Sequence, residues 1–241
     1  MNGYERIKAA LEGKEQDKVP VMLHNFQMAA YEAGLSMEEF RSDPKKLAQS
    51  FIKAIEKYKY DGILVDVDTA TLAGACGVHI NFPKDKPAQI RKGILENIED
   101  IRKLKKIDIL NYKYVRVWLE SVRILKDYFK DDIFIRGNCD QAPFSLASML
   151  RGAQEFMMDL YDEDNIELVF NLLEYCYDIT SQFIELMAET GAHSVSNGDS
   201  VAGPSMISPG MYAKFAFPYE KKIVDKVHSL GTLYTLHICG N

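Results

Sequence analysis

Short apolar runs alternate with longer amphipathic stretches along this chain. Val19 to Asn25, Asp61 to Asp68, Ile133 to Asp140, Ala192 to Asp199 and Leu233 to Cys239 read as strands. Helical signals lie between them. Ser36, with Glu39 three residues on, forms a capping box. Asp43-Pro44 pairs an N-cap with proline at the first helical position, opening a helix that runs to about Tyr58. Ile98 to Lys105, Val115 to Phe129, Phe144 to Tyr161 and Asn165 to Glu189 also read as helical, with Gly191 suited to the last C-terminus. Ser208-Pro209 opens a final helix, Pro218 kinks it and Gly231 closes it. Gly77 to Pro87 reads as loop or a short excursion. Strand–helix alternation of this kind predicts parallel strands covered by helices.

Parity within the strands narrows the choice of fold. Ile63, Val65 and Val67 oppose Leu64, Asp66 and Asp68; Ile133 and Ile135 oppose Arg136, Asn138 and Asp140. In the last strand Tyr234, Leu236 and Ile238 oppose Thr235, His237 and Cys239. One face is apolar and suits packing under helices; the other turns polar towards its C-terminal end. That is the pattern of a (β/α)8 TIM barrel, whose site lies at the C-terminal mouth. A doubly wound sheet would bury both faces. The fourth strand fits poorly, because Ser194, Ser196 and Gly198 are not apolar. Five strands are read where a barrel has eight. The expectation is one α/β domain over residues 1–241, an incomplete barrel holding about its first five βα units and lacking its C-terminal part.

Composition changes this picture little. The chain has 241 residues, 47% hydrophobic and 27% charged, enough apolar material for a core. The net charge of -6 and the lack of a basic block argue against nucleic acid and anionic membranes. A polar start without a signal-like apolar segment reads as cytoplasmic. Four cysteines, at 76, 139, 176 and 239, are too sparse for a disulfide framework, so thiol or metal chemistry is the more natural use.

The candidate chemistry gathers at strand ends. His237 and Cys239, two positions apart in a strand, point the same way and suit two ligands of a zinc ion. A buried structural cysteine beside a core histidine would give the same spacing. A third ligand would have to come from elsewhere. Asp66/Asp68, Asn138/Asp140 and Asn197/Asp199 are paired polar ends, expected to point to one mouth. Asp199 and Asp66 are the first candidates for catalysis. Asp68, Asn138, Asp140, Asn197, Arg136 and His24 are candidates for holding substrate, Arg136 through a carboxylate or phosphate. Strand-terminal Asp and Asn also begin turns and cap helices.

The sequence resembles the uroporphyrinogen decarboxylase superfamily over nearly its whole length. Arg6 to Leu11 with Lys18-Val19-Pro20-Val21, Asp61-Gly62, Gly74 to Gly77, Asn197-Gly198-Asp199, and Ser208-Pro209 running to Phe217-Pro218-Tyr219 carry the resemblance. Members run about three βα units further. The haem-pathway decarboxylases carry an arginine-rich segment after the first strand; here the stretch from His24 to Tyr31 has no arginine. The corrinoid-dependent methyltransferase branch carries His-x-Cys followed by a later Cys, and His237 and Cys239 match its first two members. That branch implies a zinc enzyme moving a methyl group between methylcobalamin on a partner corrinoid protein and a small acceptor, such as the thiol coenzyme M. A homodimer is compatible with a barrel of this kind. The resemblance leaves two alternatives open: a metal-independent decarboxylase-like lyase with Asp66 or Asp68 at the substrate nitrogens, and a non-catalytic subunit that binds a corrinoid protein.

Overall fold

A computed structural model of the chain describes residues 1–240. In chain order the elements are α1 (Gly3–Leu11), β1 (Met22–Leu23), α2 (Phe26–Glu32), α3 (Met37–Ser42), α4 (Pro44–Tyr58), β2 (Gly62–Val65), α5 (Thr71–Ala75), β3 (Ile80–Asn81) and β4 (Gln89–Ile90). They continue with α6 (Lys113–Phe129), β5 (Phe134–Gln141), α7 (Pro143–Arg151), α8 (Ala153–Asp159), α9 (Ile166–Ala188), β6 (Ser194–Gly198), α10 (Pro209–Met211), α11 (Phe217–Ser229) and β7 (Leu233–His237).

Five strands form one sheet in the order β1-β2-β5-β6-β7, every neighbouring pair parallel. The order follows the chain without reversal. A doubly wound sheet reverses at a switch point, so this is a partial (β/α)8 barrel. The expected strands are all present, though β1 keeps only two residues of the run from Val19 to Asn25.

Register sets which side chains share a face. Leu64, Arg136, Ser194 and Leu233 lie in one row across four strands; Asn138, Ser196 and Thr235 form the row above; Gly198 pairs with His237. These rows face the lumen. The opposite rows, with Ile63, Val65, Ile135 and Val195, are fully buried under the helices. Trp118 of α6 packs there against Phe183 of α9 and donates its indole N–H to the Val65 carbonyl at 3.0 Å.

The fourth strand is therefore opposite in sense to its expectation. Ser194, Ser196 and Gly198 belong to the lumen, and Asn197 lies on the helix side. Burying an amide on that side is tolerable because it is satisfied: Asn197 donates to the Cys139 carbonyl at 2.8 Å and accepts from the Tyr234 hydroxyl at 3.3 Å.

Other departures have local causes. The stretch from Phe144 to Tyr161 is two helices, because Gly152 takes φ +98° between them. Ile98–Lys103 is a 3-10 turn. The excursion after Gly77 contains the antiparallel pair β3–β4. Pro218 sits at the start of α11 behind a π-helical turn, Tyr212–Ala216. The proline has no N–H for the carbonyl of Lys214, and the wide turn absorbs the break. The capping box at Ser36 and the Asp43-Pro44 start are present as expected.

At the opposite end from the mouth, α1 closes the sheet. Arg6 is buried between Asp61 and Asp17. Those carboxylates, Asp17 foremost, hold its pKa above the ordinary arginine value against the opposing effect of burial.

Candidate active site

The C-terminal ends of β1, β2, β5 and β7 bring most of the expected residues to one rim. His24 follows β1 and its ring is half exposed; its Nε2 lies 2.7 Å from Asp66 Oδ2. Asp66 is buried and its other oxygen accepts the Val67 N–H at 2.8 Å. Two residues on, Asp68 Oδ1 accepts the Ala70 N–H at 2.8 Å and the Thr71 hydroxyl at 3.0 Å, which starts α5. Asp68 Oδ2 is buried without a partner among the described residues.

Asp140 reaches the same helix start by another route. The ladder between β5 and β6 shifts register between Asn138 and Gln141, and Asp140 takes φ +58° in that bulge. Aspartate tolerates this left-handed conformation better than most residues. Asp140 Oδ2 then accepts the Leu72 N–H at 2.7 Å, while Oδ1 has no partner among the described residues. Burial raises the pKa of both Asp68 and Asp140, and the neighbouring carboxylates push each further.

Arg136 lies lower in the lumen. Burial lowers its pKa and the Asp66 charge opposes that. Its Nε has no hydrogen-bond partner among the described residues, so part of its guanidinium is uncommitted. Asn138 accepts from Ser196 Oγ at 3.4 Å.

Asp199 stands apart. It is fully buried, and its Oδ1 accepts the Ser145 N–H at 2.8 Å, in the first turn of α7. Its side chain thus lies among the helices with Glu220, not at the rim where all three polar pairs were expected. Two pairs share the mouth. The third follows the reversed sense of β6, where alternation put Asn197 and Asp199 on the covered face. Burial first, then the charge of Glu220, pushes Asp199 up to about 8. Glu220 is raised by burial as well, against the hydroxyl of Tyr212, which donates to it.

β7 ends at His237, short of the expected run to Cys239, which follows two residues on. Both are exposed, and His237 Nε2 lies 3.2 Å from Cys239 Sγ. With zinc–nitrogen and zinc–sulfur bonds of about 2.1 and 2.3 Å, tetrahedral ligands stand roughly 3.5 Å apart. The two side chains therefore fit neighbouring positions on one such ion in both chemistry and spacing. No group of three or more His, Cys, Asp or Glu that could hold a metal occurs among the described residues, so a third protein ligand is not among them. Cys76, Cys139 and Cys176 are unsuited to ligation as they stand, because burial raises all three thiols, Cys76 to about 12.

The profile of the uroporphyrinogen decarboxylase (URO-D) family matches residues 2–241. The chain belongs to the URO-D family. Within it, the methylcobamide:CoM methyltransferase MtbA of Methanosarcina acetivorans is 31% identical, over 98% of this chain and 70% of its own length. A uroporphyrinogen decarboxylase of Prochlorococcus marinus is 27% identical over 86% of this URO-D chain and 60% of its own. A solved methyltransferase from Methanosarcina mazei shares the fold, with a TM-score of 0.88 and 24% identity over 100% of this chain and 71% of that one. Among the described residues of this URO-D family member, no helix is long and apolar enough to cross a membrane.

Sequence reasoning missed Ser200 and Gly203, which touch the end of β7. Ser200 Oγ lies 3.4 Å from Cys239 Sγ, and a Cβ at Gly203 would overlap the Cys239 carbonyl oxygen. No periodicity signals such contacts, which join residues nearly forty positions apart.

Proposed function

We propose that this chain is a methyltransferase acting between a corrinoid, carried by a partner protein, and a small thiol, with His237 and Cys239 as two ligands of a catalytic zinc ion. The single observation that carries the reading is the 3.2 Å approach of His237 Nε2 to Cys239 Sγ on an exposed strand end. The identity to methylcobamide:CoM methyltransferases supports the corrinoid and the thiol. Zinc bound there would hold an incoming thiol as the thiolate, the nucleophilic form, at neutral pH.

The chain's own residues supply the rest. The metal pair is exposed, so the thiol's proton can pass to solvent. His24 stands at the far edge of the sheet, after β1, where Asp66 engages Nε2 and leaves Nδ1 free to contact the incoming acceptor or its methyl donor. Asp66 fixes the orientation of the ring. The uncommitted part of Arg136, with Asn138, gives the lumen donors for a negative or polar end of the acceptor. Asp68 and Asp140, tied to the start of α5, shape the rim with polar groups that hold their positions. Both strand ends are exposed at His24 and Cys239, which suits a bulky methyl donor brought by another protein.

The decarboxylase reading draws on one observation, the buried Asp68–Asp140 pair, which could face pyrrole nitrogens. The absence of arginine from His24 to Tyr31 weighs against a substrate with many carboxylates. Metal analysis and methyl transfer from methylcobalamin to a thiol separate the two. The expected result is about one zinc per purified chain, lost in His237→Ala and Cys239→Ser together with transfer. Turnover of uroporphyrinogen without metal, or zinc content indifferent to both substitutions, would overturn the proposal.

A further inference from the structure

We infer that Ser200 is a positioning residue for the metal pair, and that the turn from Asp199 to Gly203 is built to hold its hydroxyl against the Cys239 sulfur. This deepens the zinc reading of His237 and Cys239 and rests on it.

Three contacts join the turn to the end of β7. The Asp199 N–H donates to the His237 carbonyl at 2.8 Å. Ser200 Oγ lies 3.4 Å from Cys239 Sγ. Gly203 leaves room for the Cys239 carbonyl, which any Cβ at that position would strike. The turn thus grips the ligand segment at both residues, through backbone at one and backbone and side chain at the other.

The turn is itself anchored from behind. Asp199 Oδ1 accepts the Ser145 N–H, and Ser145 Oγ accepts the Val201 N–H at 3.3 Å. The Ala202 N–H returns to the Asp199 carbonyl at 3.0 Å, and both Asp199 and Ala202 are buried. Of residues 199–202, Ser200 alone is exposed. Its neighbours are committed to the fold, and its hydroxyl faces the sulfur.

A hydroxyl so held has a defined use. A cysteine side chain can take three rotamers about Cα–Cβ. The Cys239 thiol donates to Ser200 Oγ; with the sulfur deprotonated as a ligand the bond would reverse, and a hydroxyl donating to the thiolate would select one rotamer and relieve part of its charge. Partners of this kind commonly matter 10- to 100-fold for metal affinity or activity. Asp199 acts at one remove, because its cap on α7 fixes where Ser200 stands.

Cobalt(II) titration of the whole chain under reducing conditions tests this, read by the sulfur-to-cobalt charge-transfer absorption. Ser200→Ala should bind cobalt about 10-fold more weakly with a shifted band. Ser200→Thr keeps a hydroxyl and should restore both. Thermal unfolding of the metal-free variants should stay at the unaltered midpoint, because Ser200 is exposed. An alanine variant with unaltered affinity and spectrum overturns the inference and leaves the metal pair standing. So does a threonine variant that behaves like alanine. Failure of the unaltered chain to take up cobalt overturns the metal pair, and the role of Ser200 with it.

Discussion

His24 Nε2 and Asp66 Oδ2 meet at 2.7 Å across the ends of β1 and β2, an exposed ring tied to a buried carboxylate. Orientation of the imidazole comes from a group that solvent does not reach. If the ring holds the incoming acceptor or methyl donor in place, His24→Ala should lower kcat/KM for methyl transfer about 100-fold. Asp66→Asn should lower it less, since the amide still offers an acceptor. Steady-state kinetics over a pH series checks this, and unchanged kinetics in His24→Ala would remove the ring from that role.

Trp118 supports that rim from beneath, through its bond to the carbonyl just before Asp66. Trp118→Phe should lose about 1 kcal/mol for the hydrogen bond, and Trp118→Ala about 3–5 kcal/mol for the cavity as well. Urea unfolding followed by circular dichroism measures both. Fluorescence does not serve for the variants, because this is the only tryptophan in the chain.

Much of this arrangement was legible beforehand. The Asp43-Pro44 helix start, the parity of β2 and β5, and the pairing of His237 with Cys239 depend on neighbours within a few residues. Period and capping express such relations. The sense of β6 was not legible: a strand reading Ser-Val-Ser-Asn-Gly carries polar groups on both faces, and only pairing with β5 and β7 decides between them. The two residues each of β3 and β4 are too few to display alternation. Gly152 did carry a signal, since glycine inside an apparent helix often marks a break. The partnership of Ser200 with Cys239 needed the fold itself.

Asp199 should make stability pH-dependent. Its pKa is raised from the ordinary carboxylate range to about 8 by burial and by Glu220. A folded state that binds the proton more tightly than the unfolded chain loses stability as pH rises through that interval. The thermal midpoint should therefore fall between about pH 4 and pH 8. Asp199→Asn, which keeps an acceptor for the Ser145 N–H, should flatten the decline and be the more stable protein at pH 8. Calorimetry at pH 5 and pH 8 compares them, and parallel slopes would contradict the assignment.

Arg41 pins the excursion that carries β3 and β4. The side chain is buried, donates to the Pro83 carbonyl at 3.1 Å and the Lys86 carbonyl at 2.9 Å, and lies over the Phe82 ring. Lysine cannot reproduce that planar fork. Arg41→Lys should cost roughly 1.5–3 kcal/mol and make residues 82–87 a preferred cleavage point. Limited proteolysis with mapping of the first cut tests it. Resistance equal to that of the unaltered chain would mean the excursion is held by other contacts.

One pairing in the sheet bears on how the site could be altered. Gly198 sits beside His237 in the ladder, and a Cβ there would meet nothing nearer than 3.8 Å. The imidazole thus has a bare flank on the lumen side. A bulky residue introduced at 198 would crowd the imidazole of His237 without replacing either proposed ligand, so the narrowing of acceptor choice can be engineered from a position that itself performs no chemistry.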